Sequence, residues 1–189
     1  MLIMRVVAGT ARGTVLKTPE GMLTRPTADR VKEAVFSILH FDVQDAVVLD
    51  LFGGTGQLGI EALSRGAKRA VFVDHQAKAC DLIKENLRRT KFTAQGTVVR
   101  GDYLEFLKRT KEKFDIILLD PPYAEIFLEN ALNCIAEIDI LRDNGIIVTE
   151  RPLEKALGVQ MPGFTRSRDY KYGKTLVTLY RRDDEGDEA

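Results

Sequence analysis

Short, almost uninterrupted apolar runs alternate with stretches of helical period through the middle of this chain. The runs are Ala46-Val47-Val48-Leu49-Asp50-Leu51, Ala70-Val71-Phe72-Val73, Gly96-Thr97-Val98-Val99-Arg100 and Phe114-Asp115-Ile116-Ile117-Leu118-Leu119. Runs of this length and continuity predict strands of a parallel sheet covered on both faces. Between them, Ile60 and Leu63 share one face of a helix that Gly66 ends, a second helix spans 76–90, and a third spans Leu104–Thr110. A helix over 124–137, a strand Gly145–Thr149 and an irregular 151–163 follow. The chain then closes in a hairpin, Ser167–Tyr172 and Lys174–Tyr180 around Gly173. Strand and helix in alternation predict an α/β, Rossmann-like fold. Ahead of it, Met4–Gly9 and Gly13–Lys17 predict a small hairpin. Thr27 reads as the N-cap of a helix to about His40, with Val31, Val35, Phe36 and Leu39 inward.

The candidate chemistry lies where the predicted strands end. Asp50, Asp74, Asp102 and Asp120 each stand at the carboxyl end of one of four successive strands, the edge at which open α/β sheets collect ligands. Asp50 leads into Phe52-Gly53-Gly54-Thr55-Gly56-Gln57-Leu58-Gly59, a glycine turn that brings backbone N–H groups close to a ligand. Gly54, Gly56 and Gly59 also satisfy the dinucleotide fingerprint, with Asp74 near the distance of a ribose-binding acid, so NAD competes as a cofactor. Asp50 repels a pyrophosphate and attracts a cationic amino-acid group, which favours S-adenosylmethionine. Simple caps of the glycine turn and of the following helices would also explain Asp50, Asp74 and Asp102.

Asp120-Pro121-Pro122-Tyr123 closes the fourth strand. Two prolines fix the backbone in an extended exit and leave carbonyls exposed. A planar amine fits there, with one hydrogen on Asp120, the other on a proline carbonyl, and its ring against Tyr123. A stiff turn before a helix is the plainer reading.

Asp50-x-x-x-Gly54-x-Gly56, Asp74, Asp102 and Asp-Pro-Pro-Tyr, in that order, resemble the class I S-adenosylmethionine-dependent methyltransferases of exocyclic amines. Three more segments narrow the resemblance: Arg5-Val6-Val7-Ala8-Gly9, Arg25-Pro26-Thr27-Ala28-Asp29-Arg30-Val31-Lys32-Glu33-Ala34-Val35-Phe36, and Leu58-Gly59-Ile60-Glu61-Ala62-Leu63-Ser64-Arg65-Gly66. With these the chain, from near residue 4 to about 180, is similar to the bacterial 16S rRNA guanine-N2 methyltransferases of the RsmD family. The resemblance implies a seven-stranded class I methyltransferase sheet over residues 43–182, preceded by a hairpin-helix extension over 1–42. It implies S-adenosylmethionine held by Asp50, Phe52, Gly53, Gly54, Gly56, Asp74 and Asp102, and Asp120, Pro121, Pro122 and Tyr123 as the catalytic turn. The expected partner is 16S rRNA in the small subunit or a late assembly particle. The same amine chemistry serves an adenine-N6 methyltransferase of DNA or RNA. Gln76 stands where relatives often carry a second acid, leaving Asp74 alone for the ribose.

Composition refines this in one respect. The net charge is zero, but the last nine residues hold two arginines against five acids. Residues 1–40 carry Arg5, Arg12, Lys17, Arg25, Arg30 and Lys32 against three acids. Arg5, Arg12, Arg25, Arg30 and Lys32 are therefore the candidate phosphate contacts, and 183–189 an acidic tail expected to be disordered. A solvated, self-paired surface is the alternative for the basic head. Cys80 and Cys134 lack metal-ligand spacing, so no metal is expected, and with no long apolar stretch the protein reads as a cytoplasmic monomer.

Overall fold

The computed structural model describes residues 4–19, 26–122, 125–154 and 161–183. Seven strands form one sheet: β1 (Val47–Asp50), β2 (Arg69–Asp74), β3 (Gly96–Arg100), β4 (Phe114–Leu119), β5 (Leu141–Pro152), β6 (Phe164–Tyr172) and β7 (Thr175–Arg182). Their order is β3-β2-β1-β4-β5-β7-β6. β3 to β5 lie parallel, and β7 enters antiparallel between β5 and β6. This is the seven-stranded α/β sheet expected. The direction of winding reverses at β1 and β4, so the crevice for a ligand opens beyond their carboxyl ends.

Alternation along each strand divides the apolar residues between two cores, an inner and an outer one. In the inner core, Val48, Phe72, Ile116, Leu118, Val148 and Val177 face α1 (Pro26–Ile38), α2 (Gln57–Ser64) and α3 (Ala77–Thr90). In the outer core, Leu49, Val71, Ile117, Leu119 and Ile147 face α4 (Tyr103–Arg109) and α5 (Glu125–Glu137). Side chains that alternate in this way bury both faces of the parallel strands.

The N-terminal arm folds back on itself as expected, though without a regular ladder. Besides the bridge of Arg5 with Val15, the Val6 amide donates to the Thr14 carbonyl at 3.0 Å, that of Gly13 to the Val6 carbonyl at 2.9 Å and that of Leu16 to the Met4 carbonyl at 2.9 Å. Side chains of α2 take other backbone donors of the arm. The amides of Val7 and Ala8 donate to the two oxygens of Glu61 at 2.8 and 2.9 Å, and that of Ala11 to the Ser64 hydroxyl at 3.0 Å. Ser64 in turn donates to the Ala8 carbonyl. Gly9 (φ 82°) lets the arm approach this closely, since a Cβ there would fall 1.7 Å from the Ser64 carbonyl oxygen. On α3, Asn86 accepts from the Lys17 amide at 2.7 Å and donates to the carbonyls of Lys17 and Thr55. Met4, Val6, Ala11 and Leu16 complete the same core as α1 and α2.

Other boundaries also shift. α1 starts at Pro26, so Thr27 lies inside the helix instead of capping it; proline suits a first turn because its missing N–H has no helical partner there. The helix stops at Ile38. β5 begins four residues earlier than expected and runs to Pro152, because β7 pairs with it as far as Thr175. The closing hairpin turns at Gly173 (φ 59°), as expected. The acidic tail beyond Asp183 lies outside the described residues.

Candidate active site

Asp74, Asp50 and Asp120 stand on three neighbouring strands, β2, β1 and β4, at the edge where the winding reverses. They open on a cavity of about 1060 Å³, which Phe52, Gly53, Gly54, Gln57, Asp102, Tyr103, Pro122 and Phe127 also line. Gly56 and Pro121 do not line it; Gly56 (φ 78°) makes the turn behind it, where a Cβ would press on Ile83. Tyr123 lies outside the described residues.

Each acid has its own setting. Asp50 is 2% exposed, and Oδ2 accepts from the Gly59 amide at 3.0 Å. Burial raises its pKa to about 7; the Gly59 bond opposes this, while the charges of Asp120 and Asp74 add to it. Asp74 accepts from the Gly54 amide at 2.9 Å and the Gln76 amide at 2.8 Å, so it fixes the glycine turn while facing the cavity. Asp102 caps α4, with Oδ1 accepting from the amides of Leu104 and Glu105 at 2.9 and 3.0 Å. The cap reading of Asp102 therefore holds, and the residue lines the cavity as well. Asp120 follows the end of β4, and burial raises its pKa to about 6.

Sequence reasoning missed part of the site. Phe52 and Tyr103 lie 5.1 Å apart between ring centroids, and Tyr103 and Phe127 5.8 Å, so three rings form one wall. Tyr103 follows Asp102 directly, which was a usable signal. Phe127 belongs to a distant helix, and nothing local marks it. Gln57, the first residue of α2, keeps a side-chain oxygen buried without a hydrogen-bond partner.

The candidate phosphate contacts divide. Arg5, Arg12 and Arg30 are exposed, as that role requires. Lys32 is not: it is 1% exposed, Nζ donates to the Arg5 carbonyl at 2.7 Å and lies 3.8 Å from Glu61. It ties α1 to the arm and is withdrawn from the RNA surface. Arg25 lies outside the described residues.

Residues 4–181 match the family model described as Conserved hypothetical protein 95. Ribosomal RNA small subunit methyltransferase D of Haemophilus influenzae is 36% identical over 180 residues, covering 94% of this chain and 93% of that one. The chain belongs to this methyltransferase family. The family's fold carries through: YlbH of Bacillus subtilis is 38% identical over 95% of this chain and 99% of its own. The solved structure of yhhF from Escherichia coli superposes with a TM-score of 0.86 at 32% identity, covering 95% and 98% of the two chains.

The cavity suits the cofactor of such an enzyme. Asp50 and the unpartnered Gln57 oxygen favour a ligand with a cationic amino-acid arm, and the ring wall favours a planar base. At Gly54 a Cβ would meet nothing closer than the Phe52 carbonyl at 3.8 Å, so the turn leaves its space to a ligand. Among the described residues no group of three or more histidines, cysteines or acids could hold a metal ion, and no helix is long and apolar enough to cross a membrane.

Proposed function

We propose that this protein transfers a methyl group from S-adenosylmethionine to the exocyclic 2-amino group of a guanine in 16S rRNA, within the small subunit or a late assembly particle. The observation that carries the reading is Asp120 and Pro122 on the wall of the cavity that also holds the glycine turn. On this reading a turn suited to an amine and a turn suited to the cofactor share one enclosure.

When bound, S-adenosylmethionine supplies an electrophilic methyl group on a positively charged sulfur. Asp50 and the Gln57 oxygen attract its ammonium, Asp74 accepts from the ribose hydroxyls, and the Phe52–Tyr103–Phe127 wall packs on the adenine. Asp120 accepts one hydrogen of the guanine amine and a proline carbonyl the other. These bonds favour a pyramidal nitrogen whose lone pair points at the methyl group. Tyr123 is the stacking partner of the base. Once methylated and cationic, the amine would give its proton to Asp120, whose raised pKa suits it to receive one. The target base must be unstacked, since this pocket cannot reach into a duplex. Arg5, Arg12 and Arg30 contact phosphates of the surrounding RNA, and the enzyme works as a cytoplasmic monomer.

Labelled-methyl transfer to unmodified small subunits and to free rRNA, followed by nucleoside mass spectrometry, tests this directly. N2-methylguanosine at one position is expected. N6-methyladenosine, or no transfer to either substrate, refutes the assignment.

A further inference from the structure

Glu150 lies beside Asp120 and has no part in the scheme above. The β4–β5 ladder pairs Leu118 with Val148 and Leu119 with Thr149, so Asp120 and Glu150 are the next residues along two adjacent parallel strands. Glu150 follows the parity of Val148 and sits opposite Val177 of β7, both members of the inner core. It therefore stands on the same face as Asp120, with the strands about 5 Å apart. Asp74, Asp50, Asp120 and Glu150 thus form an acidic row across β2, β1, β4 and β5.

We propose that Glu150 is the positioning residue of Asp120: it holds a proton beside that carboxylate, so the pair carries a single negative charge when the amine arrives. The inference rests on the role given to Asp120 above. Two ionised carboxylates at this spacing, half-buried, repel strongly, and the pair responds by keeping one proton between them. Burial acts first on Glu150, then the charge of Asp120, and together they raise its pKa to about 8, above that of Asp120. Among the described residues, the other elements packed against β5 do not undo this. β7 presents apolar Val177 and Leu179 on this face. Arg151, Thr178 and Tyr180 follow the opposite parity, toward the outer core, and Asp169 of β6 pairs there with Arg166 and Thr178. From β1 and β2, Asp50 and Asp74 add only negative charge.

A protonated Glu150 does two things. Its O–H is a donor that can orient Asp120, leaving a free lone pair of that carboxylate for the amine. Being already protonated, it does not compete for the proton that leaves nitrogen after methyl transfer. That proton breaks from N, forms an O–H bond on Asp120 and passes to water.

Carbon-13 titration of the glutamate side-chain carboxyls in the cofactor-free protein tests the proton directly. One glutamate should titrate near pH 8, vanish in Glu150→Gln, and move down by at least about one unit in Asp120→Asn. A Glu150 that titrates in the ordinary carboxylate range overturns the proposal, as does one indifferent to Asp120→Asn. In turnover, Glu150→Gln keeps the neutral donor but cannot ionise, so its kcat ratio between pH 9 and pH 7 should exceed that of the wild type at least threefold. An unchanged ratio, or no activity at any pH, also overturns it. Full turnover by Asp120→Ala would instead defeat the amine-binding role, an outcome that the wild-type titration of Glu150 does not depend on.

Discussion

Two buried acids lie close in the chain and have opposite surroundings. Glu61, in the middle of α2, is fully buried yet meets four donors: the amides of Val7 and Ala8, the Arg65 side chain at 2.9 Å, and Lys32 at 3.8 Å. Asp50, at the end of β1, is equally enclosed but has the Gly59 amide as its recorded donor, with Asp74 and Asp120 as charged neighbours. The first is a joint, complete within the fold. The second, once ionised, is held in a state that a cation would relieve, and that difference separates a structural acid from a binding one more surely than burial does.

Four experiments would break or sharpen the contrast. The largest effect belongs to the binding edge: Asp120→Ala should lower methyl transfer by roughly a thousandfold, while S-adenosylhomocysteine affinity by calorimetry and the melting temperature stay near wild type. Next comes the joint. Glu61→Ala removes an anion from beside Lys32 and Arg65 and frees the arm's amides, so urea unfolding should show a loss of about 3–5 kcal/mol. The folded fraction should still bind S-adenosylhomocysteine; loss of binding at unchanged stability would erase the distinction drawn here.

Asp50→Asn should act in the reverse sense on the two properties. The folded protein keeps the Asp50 proton to about pH 7, whereas the unfolded chain releases it near the ordinary 3.8. Stability contributed by this site therefore declines as pH rises between those values and stays low above them. The asparagine, which cannot ionise, should melt higher than wild type by roughly 5 °C at pH 8 and equally at pH 3. It should also bind S-adenosylhomocysteine about tenfold more weakly. Equal melting at pH 8 would mean that Asp50 is not held against its charge. The smallest effect is expected outside both sites: alanine at Arg5, Arg12 and Arg30 together should weaken RNA binding severalfold and flatten its dependence on salt, leaving cofactor affinity unchanged.

The sheet was legible in the sequence because its signals are local. Apolar runs such as Phe114–Leu119, the glycines after β1 and the acids that end the strands mark elements within a few residues. Asp102 shows the limit of that method, since a cap and a cavity-lining acid look alike until the helix and cavity are both in place. Lys32 shows another. Its charge pattern reads as solvated surface, but Glu61 and the Arg5 carbonyl, distant in sequence, draw it into the interior. Glu150 escaped for the same reason: nothing near Val148-Thr149-Glu150 announces a neighbour thirty residues earlier, and only the β4–β5 register supplies it. The predicted hairpin closes through Val6, Gly13 and Leu16, but the amides of Val7, Ala8 and Ala11 go to side chains of a later helix, which no local pattern announces.

The tethering of the arm also dictates an order of assembly. The segment around Val7–Lys17 is synthesised well before its partners, since the bonds from Glu61, Ser64 and Asn86 close over separations of 53 to 69 residues. Until α2 and α3 have emerged, that segment has only its own few backbone bonds and no place to bury Val6 or Leu16. In vectorial synthesis it leaves the ribosome early and waits for its partners, so the inner core takes in its first-made segment only after later ones.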